Sequence, residues 1–483
     1  MNIINTNFRS NNVIPLLQNR LSDKPLYLQI GDEIRDQIHC GGLKPGDKLP
    51  STRNCAAEAG VSRTSIVAAF EQLRAEGYLR ARQGSGYYVS LTGALDRVEK
   101  HSKARISKRV QTEPELQAND PSAADMRLFP YRQWAKCVAR TARLSPRSLI
   151  DVVDPCGDPR LRESIARYLF DWRGMDVSPQ QIIVTAGSTD ALEICVRTLL
   201  VRNSAVGLEN PGYLPLRNFV EQAGLEPVWL TVDKFGARVP QQSRMKPSPK
   251  LAVITPSFQF PLGTIMSPNR RIDFINWAER SDSWIIEDDY DSEFRYSGQP
   301  IPALAGLDRF GRTIYVGSFA KIFSSGLRLG FLVSPDGLQE RFVNTLNTMA
   351  SKASISMQRP LASFMDSGEF YRHIRRVRRI YGERRALLKS GLQSGLKGQV
   401  TIADSQAGTQ LVAHLPDHYD DVAIARAANK RGVAALPLTA HYAGRPSKKG
   451  LVLGFCSLQS EEIQANIPAL QQAVHMVNQA SNT

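Results

Sequence analysis

The stretch "TIYVGSFAKIFSSGLRLG" carries Lys321 just past an apolar, β-branched run, with Ser318 three positions before it and Arg328 seven after. A lysine held at the end of a buried strand can form an imine with a carbonyl compound. Three other stretches leave apolar runs through polar groups. "VTAGSTDALEICVRTLL" enters a helix at Gly187, Ser188 and Thr189, where free backbone N–H groups and the helix dipole favour an anion such as phosphate. "SWIIEDDYDSEF" places Asp288 and Tyr290 just past a run, and "NPGYLP" offers Tyr213 on a loop. Taken singly, such residues are most often solvated, capping or packed. Their joint order is what carries chemistry.

A phosphate site, a buried carboxylate, an aromatic face and a lysine meet the needs of pyridoxal 5′-phosphate (PLP). Lys321 is expected to form the imine and Asp288 to keep the ring nitrogen protonated. Tyr290 is expected to hydrogen-bond the ring's phenolic oxygen, and Tyr213 to stack on the ring.

These groups need a scaffold that brings strand ends together. From about residue 127, helical patterns alternate with short apolar runs: "QIIVTAG", "SAVGLE", "KLAVITPS", "SWIIEDDY", "TIYVGSFAK" and "LGFLVSP". Near-continuous apolar runs predict strands covered on both faces, hence an α/β body with a mostly parallel sheet between helices. Ligands of such sheets sit at the carboxyl ends of the strands.

The first hundred residues are of another kind. Residues 1–110 hold 17 Lys and Arg against 10 Asp and Glu, and the remaining 373 hold 44 against 36. Net positive charge is therefore roughly threefold denser at the N-terminus, as expected of a nucleic-acid-binding head on a near-neutral body. "LYLQIGDEIRDQI" spaces Leu26, Ile30, Ile34 and Ile38 along one helical stripe. A second helix is bounded by Ser51 and Gly60. A third is capped by Ser62, with Ile66, Val67, Phe70 and Leu73 facing a core. "YLRARQGSGYYVS" then alternates around a glycine-rich tip, which suits a two-stranded wing. Together these predict a winged helix-turn-helix whose third helix presents Ser62, Arg63, Thr64 and Ser65 to the DNA major groove.

The expected organisation is a DNA-binding domain at residues 20–91, a polar linker at 92–124 and a PLP-binding body at 125–475. The body's smaller C-terminal α+β subdomain is expected at about 370–475. The six cysteines are scattered without a CxxC pair, so neither a disulfide framework nor a zinc site is expected. The opening lacks the apolar core of a signal peptide, and no run of 18 apolar residues occurs; a cytoplasmic protein without membrane association is expected.

At two places the residues resemble known families. "LPSTRNCAAEAGVSRTSIVAAFEQLRAEGYL" followed by "GSGYYV" resembles the GntR-type DNA-binding domain. That resemblance adds Arg53 and the wing tip at Gln83 and Gly84 to the expected DNA contacts. "ENPGY", "TPSFQFPLG", "EDDYDSEFRY" and "SFAKIFSSGLRLGFLV" resemble fold-type I PLP enzymes of aminotransferase class I/II. The whole order is similar to the MocR/GabR regulators, which join the two. The resemblance implies that Ser188, Thr189, Ser318 and Arg328 hold the cofactor phosphate and that Gln259 contacts the ring. It also implies a homodimer with double-stranded DNA as partner, sensing an amine, an amino acid or PLP itself.

The chain departs from the pattern in three ways. Phe258 and Leu262 stand where "TPSHQFPTG" has His and Thr. "GLVLGFCSL" has Val452 and Leu453 where aminotransferases place a carboxylate-clamping Arg. "DVVDPCGDPRLR" has Val152 and its neighbours where many enzymes supply an interface Tyr. Lys is a poor substitute for the lost bidentate Arg, which leaves the effector open: another amine, an amino acid held by a different Arg such as Arg217, or PLP itself. A PLP-dependent transcriptional regulator, with at most a partial transaminase half-reaction, is therefore expected over an aminotransferase with an accessory DNA-binding head.

Overall fold

The computed structural model describes residues 24–90, 123–151, 154–241, 247–298, 301–350, 352–403 and 406–481. Backbone contacts divide the chain into two units, Met1–Glu113 and Pro114–Thr483, each with its own hydrophobic core. The segment expected as a linker, 92–124, lies outside the described residues apart from its last two, as do residues 20–23 of the expected head.

The first unit contains α1 (Leu26–His39), α2 (Thr52–Ala59), α3 (Arg63–Ala75), β1 (Leu79–Arg82) and β2 (Gly86–Val89). Ile30, Ile34, Cys55, Ile66, Phe70 and Leu73 are enclosed. Ser51 and Ser62 cap α2 and α3, accepting hydrogen bonds from the Asn54 and Ser65 amides, and Gly60 ends α2 at φ 61°. Val67, expected in this core, is instead 37 % exposed. Ile66, Phe70 and Leu73 already make the inward i, i+4, i+7 stripe, and Val67 lies about 100° round the helix from Ile66. The wing forms as expected, β1 and β2 pairing antiparallel from Leu79–Val89 to Arg82–Gly86.

In the second unit, α4 (Tyr131–Leu144) and α5 (Pro159–Arg173) precede β3 (Ile182–Thr185) and α6 (Ser188–Leu199). The chain continues through β4 (Ala205–Asn210), α7 (Leu214–Gln222), β5 (Glu226–Asp233), β6 (Gly236–Ala237), β7 (Leu251–Ile254) and α8 (Pro268–Arg280). It then forms β8 (Trp284–Asp289), β9 (Thr313–Ser318) and β10 (Gly330–Val333). The eight strands lie in the order β3-β10-β9-β8-β7-β4-β5-β6. β5, β4, β7, β8 and β9 are mutually parallel, whereas β10 runs antiparallel between β9 and β3. The expected mostly parallel α/β sheet is present, its interior strands almost wholly apolar because both faces are covered.

After α9 (Gln339–Met349) and α10 (Ile355–Asp366), the long α11 (Glu369–Gly395) leads to a second sheet. That sheet comprises β11 (Thr401–Ile402), β12 (Gln410–Leu415), β13 (Ala435–Pro437) and β14 (Lys449–Gly454), with α12 (Asp421–Asn429) before β13 and α13 (Ser460–Ser481) at the end. All its pairings are antiparallel, in the order β11-β12-β14-β13. Leu392 of α11, Leu411, Leu451, Phe455 and Leu470 fill the core beneath it.

Residues 294–297 bind this sheet's approach to the end of β8. Gly408 N donates to Phe294 O (2.9 Å), Tyr296 N to Gln406 O (3.0 Å) and Tyr296 Oη to Gly408 O (2.8 Å). Gly408 sits at φ 91°, and a Cβ there would lie 2.1 Å from the Phe258 ring. Gly408→Ala is expected to destabilise the body by about 2–4 kcal/mol, from left-handed strain plus overpacking. A denaturant midpoint unchanged from wild type would contradict this packing.

Candidate cofactor cleft and nucleic-acid face

The carboxyl ends of the parallel strands collect the expected residues. β3 ends just before Gly187, β4 before Tyr213 and β7 before Gln259; β8 carries Asp288 and β9 ends on Ser318. Because β10 runs the other way, it begins at this same end, with Gly330 opposite both Thr185 and Ser318. Arg328, two residues earlier, therefore enters beside Ser318 and the start of α6. Only glycine permits this approach: a Cβ on Gly330 would lie 2.9 Å from both Gly187 Cα and Gly317 O. Arg328 is exposed and holds a left-handed φ of 51°. The N-terminus of α6 has no capping side chain, so its first N–H groups and positive dipole end remain open to an anion. The start of α6, with Ser188 and Thr189, the end of β9 at Ser318 and the lead-in to β10 at Arg328 thus lie at one end of the sheet.

Lys321 is half-buried in a single π-type turn, Ala320–Ser324. Phe323 N and Ser324 N both donate to Phe319 O, at 2.8 and 3.1 Å. Phe319, Ile322 and Phe323 are buried, and His373 Nε2 lies 2.9 Å from Ile322 O. The lysine is therefore aimed by a turn anchored on both sides, a place where such bulges commonly serve function.

The acid-rich end of β8 divides by strand alternation. Glu287 accepts from Leu304 N (2.9 Å) and Ala305 N (2.8 Å), and Asp289 pairs with buried Arg173 at 2.8 Å and accepts from Tyr315. Those two are structural. Asp288 Oδ1 and Tyr290 Oη are buried without a well-formed hydrogen bond among the described residues, Tyr290 having the Gln410 side chain beside it. Although Asp288 as a whole is only partly covered, burial of its carboxyl, with Asp289 and Glu209 nearby, pushes its pKa up to about 7. Orphaned groups of this kind at a sheet end fit a protonated ring nitrogen and a phenolic oxygen.

Phe260 forms one wall, edge-on to Tyr213 (5.7 Å), His441 (5.2 Å) and Tyr290 (6.2 Å). Tyr213 is 45 % exposed. A cavity is lined by Glu209, Tyr213, Arg217, Phe260, Asp288 and His441. Gln259 departs from expectation. It is 1 % exposed, and its amide is committed to protein, donating to Pro211 O (2.8 Å) and Glu209 Oε2 (3.3 Å) and accepting from Leu262 N (3.1 Å). It buttresses the loops behind the wall instead of presenting its amide to a ring.

Arg217 reaches the cavity edge, paired with Glu221 (3.1 Å) and lying over Trp229 (5.3 Å). Val452 and Leu453 are buried in β14, Val452 packing with Val412, Leu438 and Tyr442 and reaching Leu262. Phe258 packs on Gly408. Two of the three departures, Phe258 with Leu262 and Val452 with Leu453, are thus apolar packing pieces; the third, at Val152, lies outside the described residues.

Two residues went unexpected. His441 is 6 % exposed, with Nδ1 3.3 Å from Gly212 O, Nε2 buried without a partner among the described residues, and a pKa lowered by burial. No spacing links it to Tyr213, over two hundred positions away. Glu209, inside the quoted "ENPGY", is buried on Thr255, and desolvation pushes its carboxyl up to about 7.

In the first unit, Arg53, Arg63, Thr64, Gln83 and Gly84 are exposed. Arg63 Nε lies 3.4 Å from Thr52 Oγ1, across the turn between α2 and α3. Ser62 and Ser65 bond to each other at 2.9 Å as part of the α3 cap, so their hydroxyls orient the helix as much as they offer donors. The wing adds cations not singled out from sequence. Arg82 and Lys48 lie over Tyr88 at 4.9 and 5.9 Å, and Arg80 is exposed on β1. The alternation in "YLRARQGSG" was the available signal.

Comparisons with known proteins fall on both units. The family described as "Aminotransferase class I and II" matches residues 115–464, and "Bacterial regulatory proteins, gntR family" matches residues 26–89. The probable rhizopine catabolism regulatory protein MocR of Rhizobium meliloti is 35 % identical, over 95 % of each chain. The pyridoxine biosynthesis transcriptional regulator PdxR of Corynebacterium glutamicum is 31 % identical, over 96 % of this chain and 99 % of its own. Among solved structures, an archaeal alanine:glyoxylate aminotransferase is 26 % identical with TM-score 0.69, over 73 % of this chain and 89 % of its own.

The raised carboxyls give a signed pH dependence. An acid whose folded pKa exceeds its unfolded value stabilises fully below about pH 4, and that stability is lost as pH rises through about 7. The melting temperature of cofactor-free protein is expected to fall from pH 5 to pH 8, and less steeply in Asp288→Asn. Equal slopes for wild type and variant would contradict the burial of an unpaired Asp288.

Proposed function

The chain belongs to the MocR-type HTH transcriptional regulators, a gntR-family head joined to an aminotransferase class I and II body, and on that premise we propose that it holds PLP on Lys321 and changes its grip on double-stranded DNA when an amine or amino acid arrives. The observation that carries this reading is the meeting, at one end of one sheet, of Lys321, the orphaned Asp288 and Tyr290, and the uncapped α6 with Ser318 and Arg328. Bound PLP supplies an aldehyde for reversible bonding to amines and an electron-withdrawing ring. The chain's own groups do the rest. Ser188, Thr189, Ser318 and Arg328 hold the phosphate, and Tyr213 covers the ring face. Asp288 keeps a proton on the ring nitrogen, because a buried carboxylate with a cation beside it is far cheaper than one without. Tyr290 donates to the phenolic oxygen.

Efficient turnover of ordinary α-amino acids is disfavoured by β14, where Val452 and Leu453 are buried in place of a carboxylate clamp. The aminotransferase fold itself supports the second reading, a working transaminase with an accessory head. Repeated conversion of amino donor and keto acceptor would favour that reading; a half-reaction that stalls favours the regulator.

A homodimer is supported by apolar side chains left in the open on the body: Leu144 is 70 % exposed, Ile150 77 % and Phe170 63 %. Where such groups form one contiguous patch they mark an association face. Ile150→Asp is expected to shift the full chain toward monomer in sedimentation velocity, and an unchanged dimer would remove Ile150 from the interface.

Lys321→Ala is expected to abolish the visible absorbance that PLP gives the wild-type protein, with the secondary structure retained. If the variant showed the same spectrum, Lys321 would not be the anchor. Arg63→Ala is expected to weaken specific promoter binding by about 1–3 kcal/mol, roughly 5- to 150-fold, as for loss of a bidentate base contact. A change confined to the salt dependence would make Arg63 a phosphate contact instead.

A further inference from the structure

The body's positive charge is gathered on two helices. Residues 111–483 hold 44 Lys and Arg against 36 Asp and Glu. Of these, α4 holds four cations and no acid, and α11 holds eight cations against two acids. The rest of the body is left with 32 against 34.

On α4 the cations are Arg132, Lys136, Arg140 and Arg143, all exposed. Their spacing of four, four and three keeps them within about 80° of one another on the helix, while Cys137 and Thr141 on the other side are buried. On α11, Arg372, Arg375, Arg376 and Arg379 are exposed within an arc of about 100°. Phe370, Ile374, Val377 and Tyr381 are buried behind them. The two helices are neighbours. Trp134 of α4 and Phe370 and His373 of α11 meet on Phe323, with ring centroids 5.2, 6.3 and 5.7 Å from it. Both stripes are therefore turned away from one shared apolar centre.

An ordinary soluble surface intersperses its cations with acids. Here Glu369 takes Arg372 (3.1 Å) and Glu383 takes Arg379 (2.8 Å). Arg132, Lys136, Arg140, Arg143, Arg375 and Arg376 have no ion-pair partner among the described residues. Like charges four apart on a helix repel, so these stripes cost stability in the free protein and gain it against a polyanion. They run about 16 Å on α4 and about 10 Å on α11, each long enough for several charges of a duplex that carries one per about 1.7 Å of axis.

We propose that the outer faces of α4 and α11 are a second DNA-binding face, which holds the phosphate backbone of duplex beyond the segment gripped by the head. Duplex DNA is the occupant because the chain carries a gntR-family head at residues 26–89, and binding there raises the effective concentration of adjoining duplex at the body. Contacts of this kind add affinity and salt dependence without reading sequence. The inference rests on double-stranded DNA being the partner, and the cofactor plays no part in it.

Two measurements on the full chain decide it. Wild-type protein is treated with phenylglyoxal, with and without a mixed-sequence duplex of about 80 base pairs, enough for several helical turns, and modified arginines are located by peptide mass mapping. Arg140, Arg375 and Arg376 are expected to react severalfold more slowly with the duplex present, and Arg63 reports the head in the same digest. Protection of Arg63 alone would overturn the second face and leave the head's role standing, whereas protection of none of the four would overturn both. Equal protection by poly-glutamate at matched charge would assign the face to an acidic protein and overturn the DNA reading. The variant Lys136→Gln/Arg140→Gln/Arg375→Gln/Arg376→Gln removes four charges and keeps good helix formers. On the same duplex its plot of log Kobs against log salt is expected to be shallower than wild type by about 2–4. An unchanged slope would overturn the proposal, and the wild-type protection decides it even if this variant fails to fold.

Discussion

The body is organised around a carboxylate that the protein buries and does not satisfy. A buried acid without a partner costs several kcal/mol or remains protonated, and Asp288 carries that penalty at the mouth of β8, its Oδ1 enclosed and unbonded. Its neighbours show that the chain can do otherwise. Glu287 takes two backbone amides and Asp289 takes Arg173. Asp288 and Tyr290 alternate onto the face where the sheet opens, beside a lysine and a helix end without a cap. A cationic heterocycle with a phosphate arm answers each of these deficits at once, which is why the cofactor reading is stronger than any one residue in it.

The antiparallel β10 matters as much as the parallel strands. A parallel strand there would bring its start, and Arg328 before it, to the far end of the sheet. Reversal delivers Arg328 and Gly330 to the same end as Ser318 and Gly187, and the two glycines let the backbones meet. The strain of a left-handed Arg328 is localised where an anion would be held, the usual place for such strain to persist.

Much of this was legible in the sequence because it is written in local patterns. Apolar runs ending in polar residues located β3, β4, β7, β8, β9 and β10, and serine caps with turn glycines located α2 and α3. The spacing of Ser318 and Arg328 from Lys321 is short-range and needs no distant packing to be read. What could not be read is set by distant packing. His441 reaches the cavity from beyond β13, Gln259 is saturated by a loop about fifty residues earlier, and Val67 is turned outward by its neighbours' tighter claim on the core. The division of labour among Glu287, Asp288 and Asp289 depends on Arg173, which does not lie near them in sequence.

The most direct test of the central claim is borohydride reduction of the PLP-loaded chain followed by peptide mass mapping. The account predicts a phosphopyridoxyl group fixed on Lys321 and on no other lysine, at close to one per chain. A label elsewhere, or protein that takes up no cofactor to reduce, would contradict it.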